Sequence, residues 1–167
     1  MAMQPATLAQ LQAALQNTIT QALSERPTTG ALFQLMYNTG LRVREVLEVD
    51  RWQYNDDDTF TVQLEKREGS RVIPISQVPD AISDRYIDHK PFEMETYSAV
   101  NNTFKYSAPG IIFGNDTRRT TNHAFRYQFV KQLAEEGKTV AEIAAILGHV
   151  NQANTSKYMS DQILLGS

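Results

Sequence analysis

The sequence predicts an α+β domain that is mainly α, a helical bundle with a small antiparallel β-sheet or hairpin. Three observations support this prediction. Apolar residues recur with helical spacing along most of the chain, two short apolar runs flank a loop that contains glycine, and glycines follow several helical segments. Because 167 residues suffice for one domain with a sizeable core, we expect residues 1–167 to form a single domain.

Two helices are predicted upstream of Gly40. In the first, Thr7 and Gln10 form a capping box, and leucines and an isoleucine recur along one face. A turn is expected at residues 24–30, and the second helix runs from Ala31 to a left-handed cap at the glycine. A short helix in the segment LRVREVLEV follows at once.

A β-hairpin is predicted in the middle of the chain. The alternating run FTVQL precedes the loop KREGS and the apolar run VIPI follows it, which places Lys66 and Arg67 at the mouth of the hairpin. Pro74 has no N–H to donate to a neighbouring strand, so it should lie on an edge strand or at the end of a strand. One or two polar helices are expected in residues 77–106, and the segment GIIFG predicts a further short strand.

Three helices are predicted in the last third of the chain. The first begins near His123 and ends at a glycine. A capping box and a Leu-Gly pair bound the second, so His149 should lie in the turn directly after it. The third carries Tyr158 and leaves residues 159–167 as a tail with no evident place in the core.

Composition excludes several classes of protein. The chain has 41% hydrophobic and 21% charged residues, and it has no cysteine for a disulfide framework, a thiolate metal site or a cysteine nucleophile. No apolar run approaches the roughly 20 residues that a membrane helix needs, and no signal segment is visible. We therefore expect no membrane association.

The charge balance bears on a nucleic-acid partner. A formal net charge of −3 and a pI near 5.6 argue mildly against one. Basic residues are nevertheless segregated along the chain, because residues 1–30 carry only Arg26. One basic face could hold phosphates while the rest of the surface is acidic.

Six side chains could together handle a phosphodiester: Arg42, Lys66, His123, Arg126, His149 and Tyr158. Arginine forks neutralise phosphoryl oxygens, lysine and imidazole transfer protons, and a phenol becomes a nucleophile when nearby cations lower its pKa. The sequence lacks the acidic cluster of a metal site, the glycine-rich loop of a nucleotide hydrolase and the nucleophile elbow of a serine hydrolase. We expect neither metal nor cofactor, and the inference depends on the combination, since each residue alone could be structural.

The order and spacing of these residues resemble the tyrosine recombinases, also called phage-type integrases. The segment TGLRVREVLEV resembles the first arginine box and implies a catalytic Arg42 with a supporting Glu45. The segment EKREGSRVIPI resembles the family's β-hairpin, in which the catalytic lysine shortly precedes an arginine, and this implies Lys66. HAFR resembles the H-x-x-R box and LGH the third box, with Tyr158 at the usual distance of the nucleophile. The resemblance spans residues 31–158.

The resemblance implies a metal-independent enzyme that recombines DNA at specific sites. Tyr158 would attack a DNA phosphate to form a 3′-phosphotyrosyl link, the two arginines and two histidines would serve the phosphate, and Lys66 would protonate the departing 5′-oxygen. It further implies double-stranded DNA as partner, a homotetramer on that DNA, accessory DNA-bending proteins, and the cytoplasm of a bacterial or phage-infected cell. The arginines expected to contact DNA are Arg44, Arg67, Arg71, Arg118 and Arg119.

The chain departs from the family's pattern at three places. Tyr127 stands where the family usually has histidine. Few residues precede the first box, so the separate N-terminal core-binding domain of longer members is expected to be absent from this sequence. The chain is then either a short member with only the catalytic domain or a fragment of a longer chain. Residues 159–167 would have to supply the C-terminal segment that docks on a neighbouring protomer.

Two alternative functions remain open from the sequence. A type IB topoisomerase uses a similar set of residues to relax supercoils and rejoins the same strand. A non-catalytic DNA-binding or regulatory relative would fit the acidic balance and the short N-terminal part.

Overall fold

The computed structural model describes residues 3–65, 69–107, 111–113, 123–149, 152–160 and 163–166. In chain order the elements are β1 (Met3–Pro5), α1 (Leu8–Glu25), α2 (Pro27–Thr39), α3 (Val43–Leu47), β2 (Trp52–Tyr54), β3 (Thr59–Gln63), β4 (Ser70–Pro74), α4 (Asp80–Ile87), α5 (Tyr97–Ser107), β5 (Ile111–Phe113), α6 (His123–Glu135), α7 (Val140–Leu147), α8 (Gln152–Ser160) and β6 (Ile163–Gly166). The prediction of a mainly helical α+β domain is confirmed.

Helices α1 and α2 pack against each other and leave only Arg26 between them. The capping box of α1 is present, with Thr7 Oγ1 accepting from the Gln10 N–H and Gln10 Oε1 accepting from the Thr7 N–H. The predicted turn at residues 24–30 is wrong in extent, because α2 already begins at Pro27. Proline has no N–H to leave unpaired in a first helical turn, and its fixed φ suits that position.

Helix α2 is largely buried and leads to the first arginine box. It packs against α1 and α6, and it ends at Gly40, whose φ of 71° is left-handed. A Cβ at Gly40 would come within 2.6 Å of the Phe129 ring on α6. Both the backbone conformation and the close approach therefore require glycine here.

The predicted hairpin is confirmed and gains a strand that the sequence did not reveal. Strands β2, β3 and β4 form an antiparallel sheet in that order, with Val62 opposite Arg71. Pro74 lies on β4, which is an edge strand as predicted. Trp52 opens the additional strand, and its indole packs face to face with Tyr86 of α4 at 3.9 Å between ring centroids.

A second antiparallel sheet joins the two ends of the described chain. Its strand order is β1-β6-β5, so the strand predicted at residues 111–113 exists and pairs with the tail. Met3 lies opposite Gly166, and Ile111 lies opposite Leu165. Within this structure residues 163–166 are thus the central strand of their own chain's sheet; docking on a neighbouring protomer stays a prediction.

Two clusters of buried side chains meet at Tyr158. The larger one fills the space between α1, α2, the hairpin sheet and α5, and the smaller one comprises Val130, Ile143 and Leu147. Tyr158 is partly buried and packs against both clusters. Burial of each large apolar side chain contributes roughly 1.5–3 kcal/mol, so both clusters stabilise the surroundings of this tyrosine.

Candidate active site

The first arginine box is organised by a buried carboxylate. Arg42 is the residue that precedes α3, and its backbone N–H donates to Glu45 Oε1 at 2.8 Å. Its side chain donates from Nη1 to Glu45 Oε2 at 3.2 Å. Because Glu45 is fully buried, this pair is held in one geometry far more firmly than a surface ion pair would be.

Glu45 also fixes the hairpin relative to the arginine. Its Oε2 accepts a third hydrogen bond, from the backbone N–H of Glu65 at 3.0 Å, and its backbone carbonyl accepts from the Trp52 indole at 2.8 Å. One carboxylate thus holds both the start of α3 and the strand end directly before Lys66. The side chain of Lys66 itself lies outside the described residues, as does that of Arg67.

Helix α6 supplies His123 and Arg126 from the same face, as their spacing predicts. Arg126 is buried, and its Nη1 donates to the carbonyl oxygen of Gly40 at 2.9 Å. Its Nη2 lies 2.8 Å from His149 Nε2. The guanidinium therefore connects the first arginine box to the third box.

His149 lies directly after α7, as predicted from the Leu-Gly pair. Gly148 is left-handed with φ 76°, and the N–H of His149 donates to the Ala144 carbonyl at 2.8 Å, which fixes the backbone of the turn. The imidazole is buried, and its Nδ1 lies 2.6 Å from the hydroxyl of Thr155 on α8. Sequence reasoning missed Thr155, although its position three residues before Tyr158 puts both side chains on one face of the helix.

Tyr158 meets its predicted partners. Its hydroxyl lies 3.2 Å from His123 Nδ1. The Arg126 guanidinium carbon is 5.5 Å from the centre of the Tyr158 ring, and the Tyr127 ring packs edge-on against it at 4.7 Å. The departure from the family at Tyr127 therefore touches the candidate nucleophile directly, which its place in the sequence did not reveal.

Arg71 is a third guanidinium at this site. Its side chain points inward from β4 and is buried, with its guanidinium carbon 5.8 Å from the centre of the Phe129 ring. Burial, followed by the nearby charges of Arg126 and Arg42, lowers the pKa of Arg71 to about 10, while Glu45 acts in the opposite direction. Its Nη1 has no hydrogen-bond partner among the described residues. Arg71 thus remains charged at neutral pH, and within the described part of the chain its Nη1 is an unused donor.

The other arginines expected to contact DNA divide into two groups. Arg44 is exposed, stands 4.7 Å above the centre of the Tyr97 ring, and approaches Glu65 at 3.9 Å. Neither contact involves Arg42, Arg71 or Arg126. Arg118 and Arg119 belong to the part of the chain that the structure does not describe.

The described side chains can hold and attack a phosphodiester. Guanidinium groups offer forked donors to phosphoryl oxygens, an imidazole faces the phenol that would lose a proton, and the phenol ring is fixed by its neighbours. Within the described ranges, no three His, Asp or Glu side chains are grouped so as to hold a metal ion. No described helix is long and apolar enough to span a membrane.

Comparison with known proteins identifies the family. The pattern of the phage integrase family matches residues 4–163. The chain is 25% identical over 142 residues to tyrosine recombinase XerD of Chlorobaculum tepidum, covering 77% of this chain and 47% of the relative. It is 24% identical over 157 residues to tyrosine recombinase XerC of Staphylococcus aureus, covering 87% of this chain and 53% of the relative. The chain thus spans about half the length of these curated relatives.

Solved structures of recombinases and integrases have the same fold as this chain. The XerH site-specific recombinase bound to its difH substrate, in a pre-cleavage complex, matches with a TM-score of 0.62 at 12% identity, over 92% of this chain and 49% of that one. The Tn1549 transposon integrase in complex with a circular intermediate DNA matches with a TM-score of 0.54 at 18% identity, over 96% of this chain and 62% of that one. Since the family pattern extends over nearly the whole chain and the fold is the same, the chain belongs to the phage integrase family.

Proposed function

We propose that this chain is the catalytic part of a site-specific DNA recombinase or integrase that cuts and rejoins DNA through a 3′-phosphotyrosyl intermediate. The observation that carries the proposal is the position of Tyr158. Its hydroxyl faces His123 Nδ1 at 3.2 Å while its ring lies beside the Arg126 guanidinium. A phenol between a proton acceptor and a phosphate-binding cation is arranged for attack on phosphorus.

The chemical step assigns one task to each group. The Tyr158 oxygen forms a bond to phosphorus, its proton passes to His123 Nδ1, and the bond from phosphorus to the 5′-oxygen breaks. Arg42 and Arg126 hold the non-bridging oxygens, and His149 keeps Arg126 in place. Lys66 protonates the departing 5′-oxygen. Attack by a second strand's 5′-hydroxyl reverses each transfer and joins exchanged partners.

The remaining assignments concern DNA and assembly. Arg44 and Arg71 contact the DNA backbone, together with Arg67, Arg118 and Arg119 from the part of the chain outside the described residues. Each such contact releases counterions, so binding should weaken steeply with salt. The active assembly is a homotetramer on double-stranded DNA, aided by accessory DNA-bending proteins, in the cytoplasm of a bacterial or phage-infected cell. Residues 159–167 contribute the contact between protomers.

The test is covalent capture. The full chain is incubated with a pool of nicked duplexes of random sequence, in which a cleaved end diffuses away, and adducts that survive SDS are measured. Tyr158→Phe should abolish the adduct and leave DNA binding in gel-shift assays unchanged. Tyr54→Phe is the matched control, because Tyr54 is an exposed tyrosine of the hairpin sheet whose hydroxyl bonds only to Asp58 among the described residues.

Three results would contradict the proposal. An undiminished adduct in Tyr158→Phe removes the nucleophile from this position. Sequence-selective DNA binding by the unsubstituted chain without any adduct identifies a non-catalytic DNA-binding relative. Relaxation of a supercoiled plasmid without recombinant product keeps the chemistry but replaces strand exchange with a topoisomerase outcome.

A further inference from the structure

Helix α8 carries a buried hydroxyl beside the candidate nucleophile. Thr155 is fully buried, whereas its neighbours Ala153, Ser156 and Lys157 are exposed. Its Oγ1 lies 2.6 Å from His149 Nδ1, which belongs to the turn after α7. The contact thus crosses from one element to another. By contrast, the hydroxyl of the buried Thr103 donates to the carbonyl of Ala99 within its own helix.

The partners of His149 determine which ring nitrogen carries the proton. A guanidinium has only N–H donors, so the 2.8 Å contact between Arg126 Nη2 and His149 Nε2 requires a bare Nε2. A neutral imidazole with a bare Nε2 carries its proton on Nδ1. That N–H then donates to Thr155 Oγ1, because no other arrangement of protons gives both contacts a donor and an acceptor.

We infer that Thr155 is a positioning residue of the active site. Its hydroxyl accepts the Nδ1 proton of His149 and thereby keeps Nε2 bare for Arg126. The result is a continuous series of hydrogen bonds from Thr155 through His149 and Arg126 to the Gly40 carbonyl. The role in catalysis rests on the proposed function, whereas the choice of tautomer does not.

The series ties the nucleophile to the phosphate-binding guanidinium. Thr155 and Tyr158 are one helical turn apart on α8, so the bond to His149 fixes the face of the helix from which the phenol projects. Arg126 Nη2 carries two N–H groups, so one can stay on His149 while the other reaches a phosphate oxygen. Thr155 therefore sets the orientation of both the attacking oxygen and the cation that receives the phosphate.

The first test needs no DNA. Long-range ¹H–¹⁵N spectra of the full chain report which ring nitrogen of each histidine is protonated. His149 should show the Nδ1–H tautomer in the unsubstituted chain and in Thr155→Ser, which keeps the hydroxyl. Thr155→Val keeps the shape but removes the acceptor, so a population with Nε2–H should appear. Thr103→Val is the control and should leave the His149 signals unchanged.

The second test measures catalysis with the same variants on the pool of nicked duplexes. Thr155→Val should form the covalent adduct roughly 10- to 100-fold more slowly, as expected when reacting groups lose their alignment, with DNA affinity in gel-shift assays within about two-fold. Thr155→Ser should recover most of the rate. Thermal unfolding checks that each variant is folded before the comparison is made.

The outcomes separate this inference from the proposed function. An Nε2–H tautomer in the unsubstituted chain, or an unchanged His149 spectrum and rate in Thr155→Val, overturns the role of Thr155 and leaves covalent capture by Tyr158 standing. Equal losses in Thr155→Ser and Thr155→Val also overturn it, since they would indicate packing and not the hydroxyl. Absence of any adduct from the unsubstituted chain would refute the proposed function, whereas the spectra would still determine the tautomer of His149.

Discussion

Arg126 donates from Nη1 to the carbonyl oxygen of Gly40 at 2.9 Å, across 86 positions of sequence. The acceptor belongs to the turn that leads into the first arginine box, and the donor belongs to the H-x-x-R box. A backbone carbonyl is a rigid acceptor, so the position of this arginine depends on the conformation of the turn. The glycine is thus as much a part of the site as the side chains.

Gly40→Ala should disrupt this arrangement. Its φ of 71° disfavours a side chain, and the added methyl would meet the Phe129 ring at 2.6 Å. Strain and overpacking together should lower the free energy of unfolding by about 2–4 kcal/mol. Covalent capture should fall further than the loss of folded protein accounts for, because the acceptor of Arg126 moves. Urea unfolding and the adduct assay measure the two effects.

Gly137→Ala is the matched control for that substitution. Gly137 also has a positive φ, 91°, but a Cβ there would meet nothing within 4 Å. In this variant the strained backbone conformation alone should lower the free energy of unfolding, by roughly 1–2 kcal/mol, and activity should be kept. Equal effects of the two substitutions would show that the contact with Phe129 and the carbonyl of Gly40 do not matter.

Glu45→Gln should separate the first arginine box from the hairpin. The carboxylate accepts from Arg42 twice and from the Glu65 N–H once, and it is fully buried. Removing the charge leaves Arg42 without its partner, which should cost about 3 kcal/mol in denaturant unfolding and reduce adduct formation.

Glu48→Gln provides the comparison for a carboxylate near the surface. Glu48 pairs with Arg51 at 2.7 Å, but it is 45% exposed, so water and salt screen the pair. The expected loss of stability is below about 1 kcal/mol, with unchanged activity. If Glu45→Gln lost no more stability and activity than Glu48→Gln, that result would contradict the central role given to the buried carboxylate.

Arg71→Met should make the DNA-free protein more stable and lower its affinity for DNA. Burial lowers the pKa of Arg71 to about 10, so the folded state holds this charge less readily than the unfolded chain does. This destabilisation of the folded state is present in full at pH values below about 10 and decreases only as the pH rises through that value. At pH 7 the substitution should therefore raise the free energy of unfolding by roughly 1–3 kcal/mol.

The DNA side of this prediction is measured by salt dependence. Loss of one phosphate contact should reduce the slope of log K against log salt by about one. Arg85→Met is the control, because Arg85 also stands over an aromatic ring, that of Phe92 at 5.2 Å, but on α4. It should not stabilise the protein or change the slope. A less stable Arg71→Met variant with full DNA affinity would refute the assignment.

Local sequence signals predicted much of the fold. The capping boxes at Thr7 and Thr139 and the left-handed glycines at 40 and 148 lie where expected, because such signals involve neighbours within one turn of chain. The sheet of β1, β6 and β5 could not be foreseen in the same way. Its strands are three or four residues long and pair the first described residues with the last, a contact that no local pattern specifies.

The candidate site shows the same division. His123, Arg126, His149 and Tyr158 were named from motif spacing, and the structure brings them together. The burial of Arg71, the three bonds of Glu45 and the tautomer imposed by Thr155 depend on which elements face each other. Residue types and spacings carry no such information, so these features became visible only in three dimensions.

The repulsion that Arg71 experiences from Arg126 and Arg42, which Glu45 opposes, has a consequence for anyone who alters this protein. A bound anion would offset that repulsion, so a phosphate backbone should raise the melting temperature by an amount that increases with its affinity. Selection of variants for heat resistance in the absence of DNA would then favour loss of Arg71, because the DNA-free protein gains stability from it. Screening in the presence of DNA would reverse that preference and retain the site.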